Sequence, residues 1–139
     1  MLQNIYQNED KTILISEEVS KEILLLKLRG EHSFNDYQSA FERLVRQAKD
    51  KGFFKLIYDM RELENSNPTS RAWNVNEYFP KAIDILGQLA VAVIASPNAF
   101  INQTSQIIQD TAIKKNPKLQ IKSFRDTEQG VAWLMSYEL

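Results

Sequence analysis

Residue types that could do chemistry gather between positions 59 and 71 of this 139-residue chain. Asp59 and Arg61 follow the apolar run 53–58, which predicts a buried strand. In open α/β sheets, ligand crevices lie beyond the carboxyl ends of the strands. We therefore predict that Asp59 and Arg61 bind a partner or a polar ligand together with Ser70 and Arg71. The alternative interpretation is that Asp59 caps loop amides and Arg61 pairs with a nearby carboxylate.

Three hydroxyl side chains in the same segment could accept a phosphate group: Ser66, Thr69 and Ser70. A helix predicted to begin at Asn67-Pro68 would stabilise an added anion through its free amides and its dipole. The alternative interpretation is helix capping, for which the Asn67 side chain is already sufficient. Both interpretations remain open from the sequence.

The single histidine, His32, is predicted to be an ordinary loop residue. Catalysis by histidine requires a nucleophile beside the ring and an orienting group behind it, and neither is identifiable here. The chain has no cysteine, which excludes disulfides, thiolate catalysis and cysteine-ligated metals. Its four glycines are isolated and form no phosphate-binding loop. We predict no catalytic residue, no cofactor and no metal site.

The charge balance argues against two classes of partner. Seventeen basic and 18 acidic residues give a net charge of −1, which provides no long-range attraction for nucleic acid. The longest apolar stretch, 89–95, is far shorter than a membrane span of about 20 residues. Residues 1–11 lack the pattern of a signal peptide. We expect one cytoplasmic domain, 1–139, with no integral membrane association.

The first elements that must position these residues are a hairpin and a helix. Runs 12–16 and 22–28, joined by a polar loop, predict two paired strands. A helix follows, with Ser33 as its N-cap and Gly52 as the residue that closes it. Its apolar side chains recur at three- and four-residue steps and form one stripe; they are Phe34, Tyr37, Phe41, Leu44, Val45 and Ala48.

The helix that begins at Asn67-Pro68 is predicted to end at Gly87 and to be interrupted. Pro80 cannot donate to the carbonyl of Asn76, so we expect a kink or two shorter helices meeting near residues 78–79. Aromatic side chains surround this break and either pack in the core or line a pocket or surface patch; they are Trp73, Tyr78, Phe79 and Phe100.

The remaining chain alternates strands with helices. Strands are predicted at 89–95 and 119–124, with an amphipathic helix between them. Asp126 caps a last helix, with Gln129 placed for a capping box. On that helix Trp133 is predicted to be a half-buried staple or a dimer contact, and four residues are predicted to face inward: Val131, Ala132, Leu134 and Met135. The fold class is α/β, in the order β-β-α-β-α-β-α-β-α, with a mainly parallel sheet covered by helices.

This order resembles the STAS superfamily, specifically the SpoIIAA-like branch of anti-sigma-factor antagonist-like domains that is grouped with CRAL-TRIO lipid-transfer proteins. The match includes a strand-end glycine before an aspartate–tyrosine helix start, a strand ending in aspartate, an aromatic in the next helix, and a closing Ala-Trp-Leu helix. The segments that carry it are 28–31, 34–37, 56–61, 71–73, 124–126 and 131–134.

The resemblance implies a non-enzymatic regulatory or adaptor domain that binds a protein partner, with a homodimer as one alternative. Members of the family are phosphorylated on a serine or threonine at the start of the helix after the third strand, although the family's aspartate–serine motif is absent from 65–71. The alternative is a carrier or sensor of a small apolar molecule or lipid in a pocket near Trp73, Tyr78 and Phe79. An enzyme with a carboxylate or serine centre near Asp59 and Ser70 ranks last.

Overall fold

Six strands form one sheet in a computed structural model that describes residues 2–65 and 67–136. Their order across the sheet follows their order in the chain. The strands are β1 (Leu2–Gln7), β2 (Ile13–Glu18), β3 (Ile23–Gly30), β4 (Lys55–Leu63), β5 (Leu89–Ile94) and β6 (Leu119–Phe124). The helices are α1 (Phe34–Lys51), α2 (Pro68–Trp73), α3 (Phe79–Leu86), α4 (Ala99–Lys115) and α5 (Thr127–Ser136), with a π-helical turn (Asn74–Tyr78) between α2 and α3.

The pairing of the strands confirms the predicted fold class. Strands β2 and β3 form an antiparallel hairpin, in which Ile15 is paired with Leu26. From β3 onward the neighbouring strands are parallel. Each parallel connection passes through helical structure, as parallel strands require. The α/β assignment and the mainly parallel sheet follow directly from the alternating apolar pattern.

Strand β1 was not predicted. Its sequence is rich in Asn and Gln, which strands disfavour, and most of its side chains are exposed. It forms because its backbone pairs antiparallel with the edge of β2, from Leu2 opposite Glu18 to Gln7 opposite Leu14, with a bulge after Asn4. Backbone pairing with a formed edge therefore outweighs the weak local preference.

The helices divide unequally between the two faces of the sheet. Helices α1 to α4 cover the first face, where α1 residues such as Phe41 and Leu44 pack against strand residues such as Leu26 and Tyr58. Helix α5 covers the second face, where Leu134 packs within a smaller cluster of β3, β4 and β5 side chains. The core is thus two clusters separated by the sheet. None of the helices within the described residues is long and apolar enough to cross a membrane.

The predicted helix ends agree with the structure. The Ser33 hydroxyl accepts a hydrogen bond from the Asp36 amide at 3.1 Å, and Gly52 closes α1 with a φ of 75°, a conformation that favours glycine. The Asn67 side chain accepts from the Thr69 amide at 2.8 Å. Local capping chemistry therefore fixes where α1 and α2 begin.

The predicted break near residues 78–79 is present as a π-helical turn. The Phe79 amide donates to the carbonyl of Asn74, five residues earlier, and α3 starts at Phe79 with Pro80 in its first turn. Tyr78 and Phe79 keep helical φ and ψ, so the helix continues through the turn, and the local π geometry accommodates the missing Pro80 amide donor.

Helix α5 is less buried than predicted. Leu134 is fully buried, but Met135 and Ala132 are exposed, so the predicted inward orientation of these two residues is wrong. A short helix that packs on a sheet buries only the side chains of one narrow face. In α5 that face consists of Gly130 and Leu134, which are four residues apart. Trp133 is half-buried and packs against Phe124, with ring centroids 5.6 Å apart, so it has the staple position predicted for it.

Candidate functional site

A cavity of about 60 Å³ lies on the first face of the sheet, between the sheet and helices α1, α2 and α4. Side chains from β4 and β5 line its floor, including Tyr58, Met60 and Val93. The apolar part of its wall continues through the helices with Phe41, Phe79 and Ile108. The cavity is near the carboxyl ends of parallel strands, the region where this class of sheet places ligand sites.

Two satisfied polar networks border the cavity. The Tyr37 hydroxyl donates to Asn74 Oδ1 at 2.5 Å. The buried Gln109 amide donates to the hydroxyls of Ser105 and Ser123, at 3.1 and 2.9 Å, and its oxygen accepts from Ser123. These side chains are held in place, since each network joins two different elements of the fold.

Two further polar atoms at the cavity, Ser70 Oγ and His32 Nε2, have no hydrogen-bond partner among residues 2–65 and 67–136. Ser70 is 3% exposed. A buried hydroxyl without a partner costs on the order of 1–3 kcal/mol, so such groups mark places where water or a ligand completes the structure. The cavity therefore combines apolar walls with unused hydrogen-bonding capacity.

His32 lies in the loop before α1, and its ring is partly buried. Burial lowers the pKa of its imidazole and outweighs the opposing effects of a backbone hydrogen bond to Arg29 and of the nearby Asp36 and Asp10 carboxylates. The ring is therefore neutral at pH 7. With one ring nitrogen engaged at the Arg29 backbone, the other, Nε2, is an acceptor facing a partly buried space.

The aromatic residues of the break form a packed cluster. Trp73 and Tyr78 have ring centroids 5.4 Å apart, and Tyr78 lies 5.1 Å from Phe79. The hydroxyls of Tyr58 and Tyr78 share a hydrogen bond of 2.5 Å. Phe79 lines the cavity, whereas Trp73 and Tyr78 line a surface groove between α1 and α3. Core packing is thus the main role of these rings.

The cavity beside Phe79 is small for a carrier of a lipid or other apolar molecule. Pockets for drug-sized ligands have volumes of roughly 300–1,000 Å³, and the cavity beside Phe79 is several times smaller. A cavity of that volume has room for a molecule of a few heavy atoms. The groove lined by Trp73 and Tyr78 is larger, with a volume of about 330 Å³, so a carrier of a small apolar molecule or lipid stays a prediction there.

Asp59 and Arg61 lie on the opposite face of the sheet from Ser70. Two side-chain hydrogen bonds join the pair: Arg61 Nε donates to Asp59 Oδ1 at 3.0 Å, and Arg61 Nη2 donates to Asp59 Oδ2 at 2.8 Å. Arg61 also donates to Thr127 of α5 at 3.3 Å. Asp59 is 2% exposed. The structure therefore does not bring Asp59 and Arg61 together with Ser70 and Arg71, because alternate residues of β4 point to opposite faces.

The candidate phosphate acceptors differ in exposure. Thr69 is exposed in the first turn of α2, whereas Ser70 is buried. Ser66 lies outside the residues that the structure describes. Thr69 is thus the accessible hydroxyl of the two that are described.

Large apolar side chains of α4 are exposed, and one of them lies beside α2. On α4, Phe100 is 59% exposed and Ile107 is 65% exposed, and their seven-residue spacing puts them on one flank of the helix. The Arg71 guanidinium lies 6.0 Å from the centroid of the Phe100 ring, in cation–π geometry. We call Arg71, Phe100 and Ile107, together with the exposed Thr69 two residues before Arg71 on α2, the α2–α4 strip.

Sequence reasoning missed the contribution of three residues to this region. Asn74, Gln109 and His32 were not assigned to a site, and each lines the cavity. A polar residue at an inward position of an amphipathic helix was the available signal for Gln109, which lies one residue beyond Ile108 on α4. No group of three or more acidic or histidine side chains that could hold a metal occurs within residues 2–65 and 67–136.

Comparison with solved structures gives a similar fold. The structure of the anti-sigma factor antagonist SpoIIAA in its unphosphorylated form matches with a TM-score of 0.58 and 12% sequence identity, over 91% of this chain and 99% of that one. The chain therefore has a SpoIIAA-like fold, and the resemblance noted in the sequence is confirmed at that level. No family model matches the chain, and no curated protein matches it.

Proposed function

We propose that this chain is a regulatory domain that acts by binding a partner protein through the α2–α4 strip, without catalysing a reaction. The observation that carries the proposal is the exposure of Phe100 and Ile107 along one flank of α4, beside Arg71. Large apolar side chains grouped at a surface with an arginine are typical of protein contacts. The SpoIIAA-like fold supports the same conclusion, since that protein is an anti-sigma factor antagonist.

The separation of the polar candidates argues against an enzyme. General acid–base catalysis needs a proton donor and acceptor within hydrogen-bond reach of one reacting group. Asp59 is engaged by Arg61 on the second face, and Ser70 is buried on the first. A carboxylate–serine centre is not assembled by these two residues.

Within this proposal, Thr69 is the phosphate acceptor. Its side chain is exposed and belongs to the strip, so a phosphate there would add negative charge directly at the partner surface. Ser70 would have to leave the interior before a kinase could reach it. Phosphorylation would therefore change partner binding without rearranging the core.

The proposal is tested by site-specific photocrosslinking in cells. A photoreactive residue at Ile107 should capture a partner that the same residue at Ile113, exposed elsewhere on α4, does not. The captured protein is identified by mass spectrometry, expressed, and titrated against the chain by calorimetry. Phe100→Asp should weaken that binding at least about tenfold, as expected for a central apolar contact, while Ile113→Asp should leave it unchanged.

Two results would overturn the proposal. One is equal capture and equal affinity with the Ile107 and Ile113 variants, which would make the strip irrelevant. The other is turnover of a substrate by the purified chain at a rate that Asp59→Asn or Ser70→Ala abolishes. Light scattering on the same variants tests whether the partner is a second copy of the chain. If it is, the parent chain is a dimer and Phe100→Asp dissociates it.

A further inference from the structure

We propose that the first-face cavity between α2 and α4 binds a small uncharged molecule that carries a hydroxyl or amide group on an apolar frame. Such a site shares Arg71 with the α2–α4 strip, but its other lining residues lie outside the strip. The inference goes beyond protein binding, because it gives the domain a ligand of its own.

The volume sets the size of the ligand. A water molecule requires roughly 10–15 Å³ of enclosed space, so a cavity of about 60 Å³ holds at least about four water-sized groups. A ligand of four to six heavy atoms is therefore the expected range. The apolar walls from Met60, Val93 and Ile108 favour a molecule with a hydrocarbon portion over a chain of waters.

The unused hydrogen-bonding atoms set the chemistry of the ligand. His32 Nε2 is an acceptor without a partner, and Ser70 Oγ can donate or accept. A hydroxyl or amide hydrogen on the ligand would satisfy His32, and an oxygen on the ligand would satisfy Ser70. Ser70 belongs to α2 and His32 to the loop before α1, so a molecule that contacted both atoms would join two elements.

The charges around the cavity favour a neutral ligand. Its lining among the described residues includes no carboxylate, and Arg71 is the one side chain in it that carries a full charge. The Arg71 guanidinium lies 6.0 Å from the centroid of the Phe100 ring. A cation in the cavity would lose its hydration without a carboxylate beside it, and an anion would have to draw Arg71 away from the Phe100 ring.

The presence of a single histidine makes a direct test possible. The full chain, labelled with ¹⁵N, is titrated with 1,2-propanediol at pH 7.5, and the His32 ring nitrogens are followed by long-range ¹H–¹⁵N NMR. We expect a saturable change of the Nε2 signal, half complete at a concentration on the order of millimolar, as small ligands allow. Sodium acetate is titrated in parallel as a charged probe of similar size.

Variants separate the cavity from a general solvent effect. Ser70→Ala should weaken binding of 1,2-propanediol roughly threefold to tenfold through the loss of one hydrogen bond. Val93→Ile adds a methylene to the cavity wall and should weaken it as well. Ser39→Ala, on the exposed side of α1, should leave the affinity unchanged.

Three outcomes would overturn the proposal. A linear response to 1,2-propanediol that is identical in the Ser70→Ala chain would mean that the cavity holds water only. Saturation with acetate alone would mean that the site selects an anion. Saturable binding that Ser70→Ala and Val93→Ile both leave unchanged would place the ligand elsewhere. Each result is independent of whether Ile107 contacts a protein partner.

Discussion

Arg61 holds the carboxylate of Asp59 from two positions further along the same strand, with Nη2 2.8 Å from Oδ2. The side chain of Asp59 is buried and that of Arg61 is partly exposed. The Arg61 backbone amide also donates to Asp59 Oδ1 at 3.2 Å. The two residues that most suggested a ligand site in the sequence therefore satisfy each other, and their link to Thr127 connects β4 to α5.

This pair predicts a specific dependence of stability on acid. Burial alone would raise the pKa of Asp59, but the hydrogen bonds and charge of Arg61 outweigh burial and lower it. A carboxyl with a lowered pKa in the folded state stabilises the fold above its unfolded pKa, and that contribution is lost as the pH falls. We expect the free energy of unfolding to decrease below about pH 5, and Asp59→Asn to remove part of this decrease.

Urea denaturation at a series of pH values between 3 and 7 measures the effect. Glu128→Gln, which removes an exposed carboxylate from the first turn of α5, serves as the matched control and should retain the acid dependence. If Asp59→Asn and the parent chain lost stability in parallel over the whole range, the ion pair would not contribute to the acid response.

Most of the fold could be predicted from the sequence because its signals are local. The apolar runs of β3 and β5 and the caps at Ser33 and Asn67 define elements through neighbouring residues alone. Strand β1 could not be predicted, since it depends on pairing with β2. The site was predicted in part for the same reason. Ser70 and Arg71 were identified from the sequence, whereas the position of Gln109 of α4 beside them depends on how the helices pack.

The π turn changes which residues face inward after Trp73. An α-helical period places Asn76 on the apolar face after Trp73, whereas the structure buries Asn74 and Tyr78 and leaves Asn76 exposed. A π turn adds one residue to the helical repeat, so the inward positions after it shift along the chain. Pro80 signalled an interruption but not its geometry.

A second prediction concerns the hydroxyls of Tyr58 and Tyr78, which lie 2.5 Å apart in the interior. Tyr78→Phe leaves the Tyr58 hydroxyl buried without its partner, and we expect a loss of about 1–2 kcal/mol in the free energy of unfolding. Removing both hydroxyls should cost less than the sum of the two single changes, because no unpaired group then remains.

Chemical denaturation of the two single variants and the double variant completes the cycle. Tyr6→Phe, which alters a phenol stacked under Arg43 near the surface, is the control and should change stability by less than about 0.5 kcal/mol. Strictly additive losses at Tyr58 and Tyr78 would contradict the coupling.

A third prediction contrasts two buried serines. Ser70 Oγ has no hydrogen-bond partner within the part of the chain that the structure describes, whereas Ser96 Oγ accepts from the Asn98 amide at 3.0 Å. Without added ligand, Ser70→Ala should leave the free energy of unfolding unchanged or raise it, and Ser96→Ala should lower it by about 1 kcal/mol. Thermal and urea unfolding of both variants measure the contrast, and an equal loss in the two would mean that Ser70 is hydrogen-bonded.

A fourth prediction concerns the contact between α5 and the sheet at Gly130. A Cβ atom at this position would lie 3.1 Å from Ala92 Cβ and 3.1 Å from Ile94 Cδ1. The Ala92 atom is fixed to a central strand and cannot move aside. Gly130→Leu should therefore displace α5 and lower the free energy of unfolding by about 1–3 kcal/mol.

The exposed neighbour Ala132 provides the control, since Ala132→Leu adds the same side chain to the same helix on its solvent side. It should change stability by less than about 0.5 kcal/mol. Fluorescence of Trp133, which packs against Phe124, reports the position of α5 directly. Gly130→Leu should shift this emission toward that of a more solvent-exposed tryptophan. An unchanged spectrum with unchanged stability would show that the added side chain fits beside Ala92 without displacing α5.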